Sequence, residues 1–258
     1  MQEATKSTVP AEAASSVTQF RKNLDAVQQK INAACERSSR DPGEVRLLPV
    51  SKTVPEERIR MAYAAGCRFL GENKVQEAQE KAESMIDLTG LKWSIIGHLQ
   101  SNKAKYVARF AHEFQALDSL KLAGALDRRL QIEGRSLDVF VQVNSSNEES
   151  KFGLPPEEVL AFVRQLPAFE TLRVRGLMTL ALFSQDQHRV RACFRRMRNL
   201  REQLQQDAPA GLSFDELSMG MSGDFEFAIE EGSTLVRVGQ AIFGPRATPD
   251  SHYWPGTG

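Results

Sequence analysis

Residues 46–85 read RLLPVSKTVPEERIRMAYAAGCRFLGENKVQEAQEKAESM, and the order of their parts decides the fold. RLLPVSK (46–52) and RFLGE (68–72) are short apolar or β-branched runs of strand length. Each is followed by a longer stretch with helical spacing of its apolar residues, 56–65 and 75–85. The unit is strand, helix, strand, helix. It recurs downstream in KWSIIGH (92–98), EFQALDS (113–119), LDVFVQVN (137–144), LRVRGLMTL (172–180), DELSMG (215–220) and TLVRVG (234–239), which makes eight strands. Helical segments lie between them at 103–111, 121–132, 156–166, 188–204 and 224–230. Pro49 sits inside the first run and counts against a regular strand there, since proline donates no ladder hydrogen bond.

Strand then helix, about eight times, is the pattern of a closed parallel barrel. A doubly wound open sheet shares that alternation, so the polar residues must discriminate. In a barrel, chemistry collects at the carboxyl ends of the strands. Lys52, Glu72, Asn73, Gly97, His98, Asn144, Thr179, Met219 to Ser222 and Gly239 all stand at or just past a strand's end. The expected fold is a single (β/α)8 TIM barrel. An additional amino-terminal helix precedes it, because Val17, Phe20, Leu24, Val27, Ile31 and Ala34 form an apolar stripe behind a Ser16/Gln19 capping box. Residues 1–15 read as a flexible arm, 16–244 as the barrel with its leading helix, and 245–258 as an irregular tail rich in Pro and Gly.

The 258 residues suffice for one barrel with a large core. Lys and Arg number 33, as do Asp and Glu, so no broad field draws the molecule onto nucleic acid or anionic lipid. No run approaches the roughly 18 apolar residues of a membrane span. Cys35, Cys67 and Cys193 are odd in number and form no CxxC pair, which argues against a disulfide framework or structural zinc and for a reducing cytoplasm. His98, His112, His188 and His252 show no metal-ligand spacing. The arginines of 189–201 interleave with apolar residues on an amphipathic helix and read as its solvated face.

Lys52 ends an apolar run, where burial favours the neutral, nucleophilic amine suited to Schiff-base formation with a carbonyl. The competing reading is a lysine that snorkels to the mouth and pairs with a carboxylate. Ser222, Gly223, Gly239 and Gln240 bring small residues and backbone amides together after the last two strands, where barrels often hold phosphate. Alternatively, Ser222 caps a helix and Gly239 is a turn. Arg237 shares a pleat face with Gly239. A buried arginine needs a partner, either a carboxylate such as Glu216 or a ligand acceptor. The segment 220–224, GMSGD, misses the G-x-S-x-G nucleophile elbow at its last position.

VSKTVP around Lys52, GENKVQE from Gly71, IGHLQSNK from Ile96, the Asn144/Glu149/Lys151/Gly153 pattern, GLMT from Gly176, LSMGMSGDFE from Leu217 and GSTLVRVGQAIFG from Gly232 are seven ordered blocks. Together they closely resemble the pyridoxal phosphate homeostasis protein family over about 45–244. The resemblance implies a barrel similar to the amino-terminal domain of alanine racemase, binding pyridoxal 5'-phosphate without established turnover. It makes Lys52 the Schiff-base lysine and places Ser222 and the Gly239 and Gln240 amides on the phosphate. It sets Arg237 at the pyridine nitrogen and lets Asn73, His98 and Met219 line the cofactor. Lys74, Ser94 and Phe227 depart from the pattern, standing where tyrosine, histidine and alanine are common. Lys151 is a second lysine near the mouth.

The implied protein is a cytoplasmic monomer that holds the cofactor as an internal aldimine and serves vitamin B6 and amino-acid balance. Its partners are the cofactor itself and apo-enzymes that accept it, with neither nucleic acid nor membrane. A pyridoxal phosphate-dependent amino-acid racemase is the rival, although racemisation needs acid and base groups on both faces of the cofactor. A cofactor-free Schiff-base lyase is a second rival that leaves the phosphate cup and Arg237 less well accounted for.

Overall fold

The computed structural model describes residues 14–146, 148 and 151–245. All of the expected arm but Ala14 and Ser15, and most of the expected tail, therefore lie outside the described residues; Ala14 is buried and its carbonyl accepts from Arg58 at 2.9 Å, so packed structure starts before the expected boundary. All eight strands form: β1 (Arg46–Pro49), β2 (Phe69–Glu72), β3 (Lys92–Ile95), β4 (Glu113–Leu117), β5 (Leu137–Gln142), β6 (Leu172–Met178), β7 (Glu216–Ser218) and β8 (Leu235–Val238). Every strand pairs in parallel with its neighbours, in the order β1-β8-β7-β6-β5-β4-β3-β2. The ring closes between β1 and β2 by the single parallel bridge Val50–Gly71.

Helices cover the outside: α1 (Val17–Arg37), α2 (Glu56–Ala64), α3 (Val75–Ser84), α4 (Ala104–Phe110), α5 (Leu120–Glu133), α6 (Val159–Val163), α7 (Gln187–Asp207), α8 (Phe225–Glu230) and α9 (Gln240–Phe243). The stripe read from the sequence buries Phe20, Val27, Ile31 and Ala34 of α1, and Ser16 Oγ accepts from the Gln19 amide at 3.2 Å. The capping box is only half made, because the Gln19 side chain donates to Asn23 instead. The segment 156–166 is interrupted, with a 3-10 turn before α6 and another after it. The short α9 had no counterpart among the expected elements. The arginine face of α7 is less solvated than its charge suggests, since Arg191 and Arg195 bridge to Glu230 and Glu231 around α8.

Pro49 is tolerated because of where it sits. Val50 N–H donates to Val238 of β8 and Ser51 N–H to Gly71 of β2, so the donor that Pro49 lacks would face β2. The β1/β2 ladder has not yet begun at that level. The seam is then strengthened by side chains. Ser51 Oγ donates to Glu72 Oε1 at 2.6 Å, and Lys81 of α3 donates to Ser51 O, Glu72 Oε1 and Glu77 Oε1 at 2.7–2.8 Å. Glu72 is fully buried with Oε2 unpartnered, and desolvation lifts its carboxyl to about 7.

A raised carboxyl binds its proton more tightly in the folded chain, so its contribution to stability is present below about 4.5 and is lost as pH rises through about 7. Glu72→Gln imitates the protonated form. The melting temperature of Glu72→Gln relative to wild type should therefore climb between pH 5 and pH 8, and a flat difference would show that Glu72 is ionised throughout. Close packing of β6 on β7 gives a second test. A Cβ on Gly176 would lie 1.8 Å from Glu216 O. Gly176→Ala should lower the urea midpoint by the equivalent of about 1–3 kcal/mol or more, and an unchanged midpoint would mean that the two strands do not meet at this register.

Candidate functional site at the carboxyl end of the barrel

Alternation along β1 puts Arg46, Leu48, Val50 and then Lys52 on one face, toward the barrel interior. Lys52 is 4% exposed. It occupies a turn closed by Val54 N–H on Ser51 O, in which Thr53 takes φ 64°. A β-branched residue adopts the left-handed region only when its surroundings hold it there. Here Glu77 accepts the Thr53 amide at 2.7 Å while Lys81 holds Ser51 O. The lysine-bearing turn is thus fastened to α3. The turn places this buried side chain at the barrel mouth.

Arg237 stands level with Leu48 on the neighbouring strand and is 3% exposed. Its Nη1 donates to Ser218 Oγ and its Nη2 to Thr179 O at 2.7 Å. Burial lowers the guanidinium to about 10, which leaves it charged at neutral pH. The carboxylate proposed for it from sequence, Glu216, pairs instead with Arg46 at 3.1 Å, because Glu216 opens β7 at the far end of the barrel. Arg237 therefore keeps donors for something other than a direct protein carboxylate.

The two readings of Ser222 are separated by the start of α8. That helix begins at Phe225 behind Asp224, so Ser222 does not cap it. Ser222 Oγ instead accepts the Gly239 amide at 3.3 Å, tying the loop after β7 to the loop after β8 and leaving the hydroxyl proton to be donated. The Gly239 amide is thereby engaged, whereas those of Gln240 and Ala241 open α9 and have no acceptor within it. Asp224, whose carboxyl is raised by burial, accepts from the Met221 amide at 2.6 Å and shapes the same loop.

The remaining expected residues divide. Asn73 lies at the mouth with Oδ1 buried and unpartnered. His98 is at the exposed rim, stacked on Phe152 at 4.0 Å between ring centroids and 3.5 Å from Asp118. Met219 is fully buried within the apolar cluster. Lys151 donates to Ala181 O at 3.0 Å and pairs with Glu148. Of the three departures, Lys74 is exposed, Phe227 lies under the Arg191 guanidinium at 4.7 Å, and Ser94 is buried against Glu113 at 2.6 Å.

Sequence reasoning placed Thr179 at a strand end but missed the other polar residues behind the site: Ser51 and Lys81 near Lys52, and Ser218, Gln115 and Glu113 behind Arg237. One signal was available. Glu113 and Gln115 share a pleat face inside the otherwise apolar run EFQAL. A cavity of about 410 Å³ lies at the opposite end of the barrel, lined by Arg40, Glu44, Arg201, Asp215, Glu216, Gly232 and Thr234. It faces the end that serves stability in such barrels, not the end that carries Lys52. Among the described residues no group of His, Cys, Asp and Glu could hold a metal ion, and no helix is long and apolar enough to cross a membrane.

The chain is similar to known proteins over most of its length. The alanine racemase N-terminal domain family matches residues 22–247. The pyridoxal phosphate homeostasis protein of Haemophilus influenzae is 42% identical over 225 residues, covering 87% of this chain and 94% of the relative. PipY of Synechococcus elongatus PCC7942, solved with pyridoxal phosphate bound, is 37% identical with a TM-score of 0.77 over 87% of this chain and 100% of PipY. Alanine racemase of Clostridium difficile shares the fold at 16% identity and a TM-score of 0.67, over 95% of this chain and 61% of the racemase. By its sequence over nearly its whole described length, the chain belongs to the pyridoxal phosphate homeostasis protein family, whose barrel is that of the alanine racemase amino-terminal domain.

Proposed function

We propose that this protein binds pyridoxal 5'-phosphate at the carboxyl end of its barrel and holds it for vitamin B6 homeostasis, without turning over a substrate. The observation that carries the reading is the convergence of two buried basic side chains at one mouth, Lys52 in the turn after β1 and Arg237 on the neighbouring strand β8. The donor set fits the cofactor. Lys52 would carry it covalently, Ser222 and the Gln240 amide would donate to its phosphate, and Arg237 would face its ring nitrogen. The Gly239 amide acts by holding Ser222 in place. Asn73 would meet the cofactor with the side chain whose Oδ1 is unpartnered, Met219 would supply apolar packing beneath it, and His98 would guard the rim.

The bound group supplies an aldehyde for the lysine and a ring able to accept electrons. The protein's own residues decide how little follows from that. Lys52, buried at the mouth, would supply the amine for attachment. Arg237, charged and donating, opposes protonation of the ring and so weakens it as an electron sink. The racemase reading requires a second acid–base group on the opposite face of the ring. The described tyrosines, Tyr63 and Tyr106, belong to α2 and α4 in the outer layer.

Holding and releasing a reactive aldehyde is the role these features support, in the cytoplasm and as a monomer that yields cofactor to apo-enzymes and so affects amino-acid balance. Its three cysteines are buried free thiols, in keeping with a reducing compartment.

Borohydride reduction of the loaded protein followed by peptide mass mapping should place the phosphopyridoxyl group on Lys52, and Lys52→Ala should lose it while keeping its fold. A trapped adduct on another lysine, such as Lys151, would move the attachment there. Ser222→Ala should weaken pyridoxal phosphate more than pyridoxal, by about 1.5–3 kcal/mol, the scale of one hydrogen bond to a charged group. Equal weakening of both ligands would remove Ser222 from the phosphate.

A further inference from the structure

The polar chain behind Arg237 runs the length of the barrel interior. Arg237 Nη1 donates to Ser218 Oγ, Ser218 Oγ donates to Gln115 Oε1 at 2.6 Å, and Gln115 Nε2 donates to Glu113 Oε1 at 2.6 Å. Ser94 Oγ donates to the same Glu113 oxygen at 2.6 Å, and Arg46 donates to Glu113 Oε2 at 2.6 Å. Glu113 is 3% exposed, while Gln115, Ser94 and Ser218 are fully buried. Five strands, β1, β3, β4, β7 and β8, contribute one or two side chains each.

The direction of every bond follows from one charge. An ionised carboxylate accepts only, so Glu113 obliges Gln115 to turn its NH₂ toward it. The Gln115 carbonyl then faces Ser218 and takes its hydroxyl proton. Ser218 is left with lone pairs toward Arg237, which can only donate. Turning the Gln115 amide over would set its oxygen against the carboxylate and its NH₂ against Ser218, whose proton would then point at the guanidinium. Buried polar groups left in that arrangement are costly, so a single order prevails.

We propose that Glu113 is a positioning residue for Arg237, acting through Gln115 and Ser218 to hold the guanidinium in one orientation, with its remaining hydrogens presented to the ring nitrogen of the bound cofactor. The inference rests on the reading of the site as a pyridoxal phosphate site. Its specific consequence is that the ring nitrogen becomes a recognised feature of the ligand, and that recognition depends on a carboxylate that does not touch the ligand.

The probe is the carbocyclic analogue of pyridoxal phosphate, in which C–H replaces the ring nitrogen and the aldehyde and phosphate remain. Dissociation constants for both ligands are measured on wild type, Glu113→Gln and Ser218→Ala, with borohydride trapping to confirm attachment and circular dichroism to confirm folding. Wild type should prefer the natural cofactor by about tenfold or more, the scale of a hydrogen bond from a charged donor. Both variants should reduce the preference to about twofold or less, mainly by losing affinity for the natural cofactor while binding the analogue almost as before. A merely structural role would weaken both ligands together.

Retention of the full preference in Glu113→Gln overturns the proposal, as does a wild type that traps the cofactor on Lys52 yet shows no preference. If Glu113→Gln fails to fold, Ser218→Ala decides alone, since it cuts the chain beside Arg237 and leaves the Glu113–Arg46 pair intact. Failure of wild type to bind the natural cofactor would instead defeat the reading of the site.

Discussion

The constraint on which the rest depends is the burial of the Arg237 charge. A guanidinium enclosed in a barrel cannot shed its proton at neutral pH and cannot be left without acceptors. The protein meets this without a carboxylate in contact. It uses a hydroxyl and a main-chain carbonyl, and places the balancing charges out of contact, at Asp224 behind the loop after β7 and at Glu113 two residues further in. A directly paired arginine would have its donors occupied by the carboxylate. Keeping the counter-charge at a distance stabilises the cation and still leaves it able to donate into the mouth.

That arrangement explains the unusual lumen of this barrel. Interiors of such barrels are filled mainly by branched apolar side chains in layers. Here Arg46, Glu113, Ser94, Gln115 and Ser218 occupy lumen positions and are hydrogen-bonded to one another. The apolar packing has moved outward, into the shell between strands and helices, where Leu217, Phe194 and Met197 belong to one buried cluster and Leu70, Trp93 and Val236 to another. Ser94, one of the departures from the family pattern, belongs to this lumen chain, so the change of residue there bears on the wiring behind the site more than on its lining.

The same economy of contacts governs the other side of the mouth. The barrel closes through one bridge between β1 and β2, and the lysine-bearing turn follows immediately. Because strand pairing at that seam is limited to one bridge, the side chains of Ser51, Glu72, Glu77 and Lys81 do the work that strand pairing does elsewhere. Lys52 is therefore held by a polar clamp on α3 and Arg237 by a polar chain through the lumen. The two groups proposed to meet the cofactor are fixed from independent directions, at a point where the sheet itself is least continuous.

Much of this was legible in the sequence. Eight apolar runs separated by amphipathic segments specify eight strands and their helices, because period and length are local properties written directly in residue order. Their carboxyl ends marked Lys52, Asn73, Ser222 and Gly239, since a parallel barrel sends every strand's end to one face, and the pleat shared with Gly239 marked Arg237. The fate of Pro49, the engagement of the Gly239 amide by Ser222, the pairing of Glu216 with Arg46 and the exposure of His98 were decided only by tertiary structure. Each depends on which residues of distant strands come level across the lumen. That register is set by barrel closure and strand stagger, quantities that no local stretch of the chain contains.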